Sequence, residues 1–529
     1  MPNYIITYDV GTTGVKTCLF DVGETIKLLD AATKGYGLYV LEGGGAEQDP
    51  KEWWAAMCET TATLLKDTGV KPEEILGISF CSQMQGLVLV DKDGEPVRRA
   101  MSYMDQRAAQ EIKKGIAYGF KIAGANIFKL LKSLYYTGAV AASVKDPVWK
   151  YKWVEAHEPE VFKRVYKWLD VKEYLIAKCT GRMVMTGDSA FGTLMLNVHN
   201  GQWAWPIVKM LGVNPDHLPE IVGSTDCVGG ITKQAATELG LVEGIKVFGG
   251  GGDASLIGVG AGATGLGDTH IYSGTSGWVG TVVDKSMVDA SAMIASIVCA
   301  QKGKFVYFAE METSGKCLEW VKNHLALDEI GIYLNKKHIT EDFETKYTSL
   351  YDYMTDVADT AAAGAGGVIF TPWLHGNRCP FEDPKSRGMF FNISLETGKT
   401  ELIRAVLEGV CYHKRWMLEA QDKKVKTSDT IRFVGGGALS DFTSQLLADI
   451  TGRTIETVAA PQNVGAVGAA AVVAVGLGII DSLDDLKKFI PAVKTFAPRA
   501  ELKPVYDRNF EVFKSLYKCN KKAFAILNK

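Results

Sequence analysis

Two aspartates in this chain stand beside runs of glycine and hydroxyl residues, a pairing suited to gripping phosphate and moving a proton. The first is Asp9, followed by Gly11-Thr12-Thr13-Gly14 and then Lys16. Glycines let backbone N–H groups approach an anion, threonine hydroxyls donate to phosphate oxygens, and an aspartate at a strand end can hold Mg²⁺, usually through waters. A plain glycine hairpin whose aspartate bonds its own turn fits the same residues. The spacing of a Walker loop is missing, and a strand pattern, not a helix, follows the turn. The second aspartate is Asp253, after Gly249-Gly250-Gly251-Gly252 and before Ala254-Ser255. It reads either as a helix N-cap or as a general base for a hydroxyl group, reached over bare backbone. Ser273-Gly274-Thr275-Ser276-Gly277 is a second phosphate cradle of the first kind. Gly435-Gly436-Gly437-Ala438-Leu439-Ser440 is a strand-to-helix turn whose bare backbone could admit a flat base and its ribose. Its glycines do not fit the Rossmann fingerprint.

These residues need elements to hold them. Strand and helix patterns alternate along the chain, which predicts an α/β protein. Residues 4–10 and 16–21 read as strands around a turn whose glycines suit positive φ, residues 49–65 as a helix capped by Asp49, and residues 75–81 as an apolar strand. The strand, Gly/Thr/Ser turn and strand around Asp9 recur around Ser273, each near the start of about half the chain. That repeat predicts two related domains, 1–262 and 263–529, with a ligand cleft between them. Ser82-Gln83-Met84-Gln85-Gly86 follows the apolar strand, where polar residues can bind a polyol or form a turn. Asp105 and Arg107 suit a structural ion pair. Residues 465–480, mostly Gly, Ala and Val, are too short to span a bilayer and read as a tightly packed buried helix.

Bulk properties exclude several classes. The net charge of −3 carries no basic excess for nucleic acid, and no Lys/Arg run marks a membrane surface. The ten cysteines include no C-x-x-C pair and the eight histidines no H-E-x-x-H, which argues against zinc and thioredoxin-like sites. The first residues run straight into a strand pattern, so no signal peptide is expected and the cytoplasm is the expected compartment. A homodimer is left open.

Taken in order, these motifs resemble the FGGY carbohydrate kinases over nearly the whole chain. Asp9 to Lys16 is similar to the family's first phosphate motif, Gly252-Asp253-Ala254 to its catalytic-base segment, and Ser273 to Ser276 to its second phosphate motif. Lys150 to Val154 with Glu158-Pro159-Glu160 resembles one signature, and Gly388-Met389-Phe390 with Arg404 to Gly409 a second. Gly435 to Ser440 with Gln445 and Asp449 resembles the adenosine motif. The resemblance implies two ribonuclease H-like domains of the actin/hexokinase superfamily, with ATP and a sugar in the cleft. It implies Asp253 as general base and Asp9 as the residue placing Mg²⁺. Gly11, Thr12, Thr13, Lys16, Gly274, Thr275 and Ser276 would then face the ATP phosphates, and Gly435, Gly436, Gly437, Ala438 and Ser440 the adenosine. Gln83, Met84, Gln85, Tyr103, Asp105 and Asp253 would face the sugar. Ser82 to Gly86 looks most like the Gln-Met-His-Gly segment of xylulose kinases, which implies D-xylulose as substrate. Gln85 replaces the His, Tyr103 a Trp, Asn377 a Glu and Asn392 a Gly of the family pattern. Other ketoses, gluconate, glycerol and erythritol stay open as substrates, as does an actin-like, ATP-driven binding switch.

Overall fold

A computed structural model describes residues 2–122, 125–326 and 350–528. The chain opens on a meander of three antiparallel strands: β1 (Tyr4–Val10), β2 (Gly14–Val22) and β3 (Ile26–Gly35). Helix α1 (Pro50–Thr68) follows, with the Asp49 carboxylate accepting from the Lys51 N–H at its start and Trp53, Trp54 and Met57 buried beneath it. Strand β4 (Ile75–Ser82) returns parallel to β1. Two later strands, β5 (Cys227–Gly230) and β6 (Lys246–Phe248), complete the order β5-β6-β4-β1-β2-β3. Just past β6, Gly251–Gly252 pairs in parallel with the end of β4, and Asp253 begins helix α2 (Asp253–Gly260).

The second half repeats this path. Strands β7 (Thr269–Ser273), β8 (Gly277–Val283) and β9 (Phe305–Met311) form an antiparallel meander. Strand β10 (Thr430–Val434) lies parallel to β7 and β11 (Thr454–Val458) parallel to β10, while β12 (Ala492–Phe496) runs antiparallel at the edge. The order β9-β8-β7-β10-β11-β12 matches the first sheet in strand direction, but the last two strands differ in chain order: the edge strand β5 precedes β6, whereas the edge strand β12 follows β11; two further strands lie beyond β9. The repeat read from two hairpins is therefore a repeat of whole sheets.

Helix α3 (Asp441–Thr451) leaves the Gly435 turn, and helix α4 (Val464–Gly476) follows β11. The Gly/Ala/Val stretch is, as its composition predicts, buried along almost all of its length. What the composition does not show is its partner. Though α4 belongs to the second half, it packs on β1 and β4 of the first sheet and crosses α2 closely. A Cβ added at Gly260 would overlap the Val464 carbonyl oxygen, and one at Gly468 the Leu256 carbonyl. One apolar core joins Ile5, Phe20 and Phe248 of the first sheet to Leu256 of α2, to α4, and to Val434 and Val458 of the second sheet.

The turn at Gly11–Gly14 departs from expectation in one respect. Neither glycine has a positive φ. Gly14 is instead a close-approach position, since a Cβ there would lie 2.8 Å from the Lys34 carbonyl oxygen. Among the described residues no helix is long and apolar enough to cross a membrane.

Candidate active site

Strands β1 and β4 and the Gly251–Gly252 segment run parallel, and their carboxyl ends lie side by side. Asp9 sits beside Cys81 on one flank of β4, and Gly251 sits beside Cys81 on the other. Asp9, Gln83 and Asp253 therefore gather at one edge, the edge where parallel α/β sheets take their ligands. Burial pushes the Asp253 carboxyl up to about 7; the Ala254 N–H, 2.7 Å from its Oδ1, opposes the rise, and the charges of Asp9, Glu310 and Asp188 add to it. Asp9 is likewise raised by burial, with Lys16 pulling the other way. The Lys16 ammonium also donates to Asn463 Oδ1 at 2.7 Å, at the entrance to α4, so the first hairpin touches the second half of the chain.

The four glycines before Asp253 are enclosed by protein. A Cβ at Gly249 would lie 2.6 Å from the Gly223 carbonyl oxygen, and one at Gly252 would overlap Met84. Bare backbone here serves a tight fit more than an open approach. Beneath the loop lies Asp188, which the motif reading did not single out. Its Oδ2 accepts from the Gly252 N–H at 2.6 Å and from the Ser255 hydroxyl at 2.5 Å; its Oδ1 accepts from the Thr186 hydroxyl at 2.5 Å and the Ser189 N–H at 2.9 Å. Burial alone would raise the Asp188 pKa, but Lys172 and these donors outweigh it and hold the carboxyl below its ordinary value. Lys172 is itself fully buried, 2.6 Å from Glu173 and 3.6 Å from Asp188. A buried, charged cluster thus fixes the backbone on both sides of Asp253.

The two hairpins end in exposed hydroxyl residues, Thr13 and Thr275. The second hairpin is braced by the Ser314 N–H on the Thr275 carbonyl at 3.0 Å and the Gly315 N–H on the Gly274 carbonyl at 2.8 Å. The Gly435 turn packs on this hairpin: Cβ atoms at Gly435 and Gly437 would lie 2.6 Å and 2.8 Å from Ser273 atoms. A Cβ at Gly436 would meet nothing within 4 Å. Ala438 is buried, and Ser440 caps α3 by accepting from the Thr443 N–H, so these two shape the turn.

Past the end of β4, Gln85 has a φ of +61°, a strained value for a residue with a side chain. Asp170 holds it there, accepting from the Gln85 and Gly86 N–H groups at 2.9 Å each, and Lys150 donates to the Gln85 carbonyl at 2.6 Å. Tyr103 is exposed, its hydroxyl 3.4 Å from that of Thr12. Asp105 is fully buried; it accepts from the Ala46 N–H at 2.9 Å and pairs with Arg107 at 2.7 Å. Of the two readings of Asp105, the geometry is that of an internal ion pair. A cavity of about 570 Å³ does open between the two halves, but its lining, including Asp188, Asp226, Cys299 and Asp484, contains neither Asp9, Asp253 nor the hairpins.

Comparison with known proteins supplies the family. Residues 4–260 match the N-terminal domain of the FGGY family of carbohydrate kinases, and residues 270–477 its C-terminal domain. The chain belongs to the FGGY carbohydrate kinases. This FGGY kinase is 29% identical to a xylulose kinase of Bacillus subtilis, over 97% of this chain and 96% of that one. It is 26% identical to a gluconokinase of the same organism, over 98% and 96%. Among solved structures, it is similar to the ligand-bound xylulose kinase of Lactobacillus acidophilus, with a TM-score of 0.85, 27% identity and coverage of 99% of this chain and 100% of that one. Its two sheets are the paired ribonuclease H-like units of the actin/hexokinase superfamily, and it is a phosphotransferase acting on a sugar.

The FGGY signatures are scaffolding in this kinase. Lys150 of the first holds the Gln85 loop, as above. Arg404 and Glu408 of the second form a buried pair at 2.8 Å, with the Gly364 N–H and Tyr506 hydroxyl as further partners. Asp449, next to the adenosine motif, pairs with Arg499 at 2.6 Å. Asn392, which replaces a family glycine, has a φ of +68°, a value asparagine tolerates better than most residues. Asn377 ties its own turn, donating to the carbonyls of Cys379 and Phe381 at 3.1 and 2.8 Å.

Proposed function

We propose that this kinase transfers the terminal phosphoryl group of ATP to a hydroxyl of a small ketose, D-xylulose, with Asp253 as the general base. The observation that carries the reading is Asp253 itself: a carboxylate pushed up to about 7, at the carboxyl edge of the first sheet and across β4 from Asp9. A base tuned near neutral pH accepts a hydroxyl proton well and is still about half ionised at pH 7. In the transfer, Asp253 takes the proton, the sugar oxygen bonds to the γ-phosphorus, the bond from phosphorus to the β–γ bridging oxygen breaks, and ADP leaves. The hairpins at Gly11–Thr13 and Gly274–Ser276 would donate to the phosphates, Lys16 would neutralise their charge, and Gly436 would leave room for adenosine. Asp105, held by the Ala46 N–H and Arg107, would fix its own loop without touching the sugar.

Asp9 fits a divalent cation. Its carboxylate is half-buried, Lys16 is its nearby cation, and among the described residues no group of three or more His, Cys, Asp or Glu side chains comes together to hold a metal. One carboxylate with phosphate oxygens and waters is how Mg²⁺ is commonly held. Bound there, Mg²⁺ would neutralise charge on the phosphates.

D-xylulose is favoured because Ser82 to Gly86 resembles the xylulose-kinase segment and because a xylulose kinase, at 29%, is slightly more similar to this chain than the gluconokinase at 26%. Gluconate is the second reading, since a full-length relative is a gluconokinase and the sugar loop carries Gln85 where xylulose kinases carry His. A coupled ADP-release assay over D-xylulose, L-xylulose, ribulose, gluconate, glycerol and erythritol decides between them. D-xylulose is expected to give the highest kcat/KM; a higher value for gluconate would move the substrate and keep the mechanism. Asp253→Ala is expected to remove sugar-dependent turnover and leave ATP binding intact, and retained turnover would overturn its role.

A further inference from the structure

We infer that Gln48 is a positioning residue that ties the sugar loop to the phosphate hairpin, so that filling one subsite tightens the other. The inference rests on the placement of sugar at Gln83 and phosphate at Thr12 proposed above. A chain of two amides joins them. Gln83 Nε2 donates to Gln48 Oε1 at 2.9 Å, and Gln48 Nε2 donates to the Thr12 carbonyl at 2.6 Å.

The order of donors in this chain is set by chemistry. A carbonyl can only accept, so the Gln48 atom next to Thr12 must be its nitrogen. Its oxygen then lies toward Gln83, which must present its own nitrogen. Turning either amide over would set like groups against each other. With the order fixed, Gln83 Oε1 is left buried and without a hydrogen-bond partner among the described residues. A buried acceptor without a donor costs free energy. It can gain a donor, such as a sugar hydroxyl, only if the Gln83 loop shifts.

Such a shift pulls on Thr12. Gln48 is 1% exposed, and its backbone is pinned in the strand Gly45–Gln48, where it pairs with Ala100. The Gln48 side chain is thus the movable link between a loop and a hairpin that are both hung on fixed strands. A second tie converges on the same residue, since the Thr12 hydroxyl lies 3.4 Å from that of Tyr103. The carbonyl and the hydroxyl of Thr12 are therefore both in contact with residues on the Gln83 and Tyr103 side. Coupling between two subsites is reciprocal, so sugar should raise affinity for ATP by the factor that ATP raises affinity for sugar.

The test is ATP affinity, measured by titration with and without the sugar that drives turnover, in the wild-type chain and in Gln48→Met, which keeps the length and loses both hydrogen bonds. In the wild type, sugar is expected to tighten ATP about fivefold or more, a usual coupling factor. In Gln48→Met the factor is expected to fall to near one, while ATP affinity without sugar stays within about twofold of wild type. Gln48→Leu also removes both hydrogen bonds, so it is expected to lose the coupling too; it is the second variant should Gln48→Met not fold. Unchanged coupling in a folded variant overturns the inference. So does a wild type whose ATP affinity ignores sugar while turnover proceeds, a result that leaves the proposed function standing. If no sugar in the panel drives turnover, the site assignment fails and the relay fails with it.

Discussion

Asp253 is a residue whose chemistry and stability pull in opposite directions. Its carboxyl titrates at about 7 in the folded chain and near the ordinary carboxylate value, about 3.9, in the unfolded one. The folded state therefore holds the proton more tightly. Relative to a neutral side chain, Asp253 costs nothing below pH ~4, costs progressively more between pH ~4 and ~7, and the full amount above that. Asp253→Asn is thus expected to stabilise the fold at pH 8 by on the order of a few kcal/mol at most, seen as a higher melting temperature, with no gain at pH 4, while abolishing turnover. Thermal melts at the two pH values check it; equal shifts at both would contradict the burial argument. The same sign governs rate. The base must be ionised, so kcat/KM should fall tenfold per pH unit below about pH 7 in the wild type, read from a pH–rate profile. Asp188 behaves differently, because it is ionised and satisfied. Asp188→Asn sets an amide N–H against the backbone donors and leaves Lys172 short of a partner, so a loss of roughly 3–5 kcal/mol in urea unfolding is expected, with kcat falling in the fraction that folds. Asp9 and Asp253 are legible in the sequence because glycine runs flag them. Asp188 and Gln48 are not, because the partners that tie them to the site, Gly252 for one and Gln83 and Thr12 for the other, stand 64 and 35–36 residues away.

Between elements, the closest fit is the crossing of α2 and α4. Glycine in the middle of a helix normally costs about 0.5–1 kcal/mol relative to alanine. Gly468 reverses that rule, since an alanine methyl would overlap the Leu256 carbonyl. Gly468→Ala is expected to destabilise the chain by about 1–3 kcal/mol, the usual range for overpacking, measured as a lower urea midpoint. A gain in stability would mean that the helices separate freely. The composition of α4 announces a helix that something approaches closely, and that much is legible. Which helix approaches it is not, because the contact joins Gly260 to Val464 across two halves of the chain. The glycine run before Asp253 shows the same limit: the glycines are legible, but their neighbours Gly223, Thr186 and Met84 come from distant segments.

At the scale of the whole molecule, two repeated sheets share one apolar core, and α4 of the second half closes the first. A fragment of residues 1–262, the first domain proposed from the repeat, would leave Ile5, Cys81, Phe248 and Leu256 uncovered. It is expected to lack a cooperative thermal transition, followed by circular dichroism; a sharp two-state melt would show that the half stands alone. The duplication is legible because two hairpins share a pattern of glycine and hydroxyl residues, whereas core sharing depends on packing that no motif encodes. The matching strand order also lets equivalent positions be compared. The penultimate residue of β1 is Asp9, and that of β7 is Tyr272, which stacks on Trp278 with ring centroids 4.1 Å apart. The loop after β4 carries Gln83, and the loop after β10, its counterpart, carries Gly435–Gly437. The two copies have divided their labour. One copy carries an acid at its strand end and a polar loop, and the other an aromatic brace and a loop of bare backbone. Two copies of one frame thus present chemically different ends, an acidic polar one and an aromatic one faced with bare backbone.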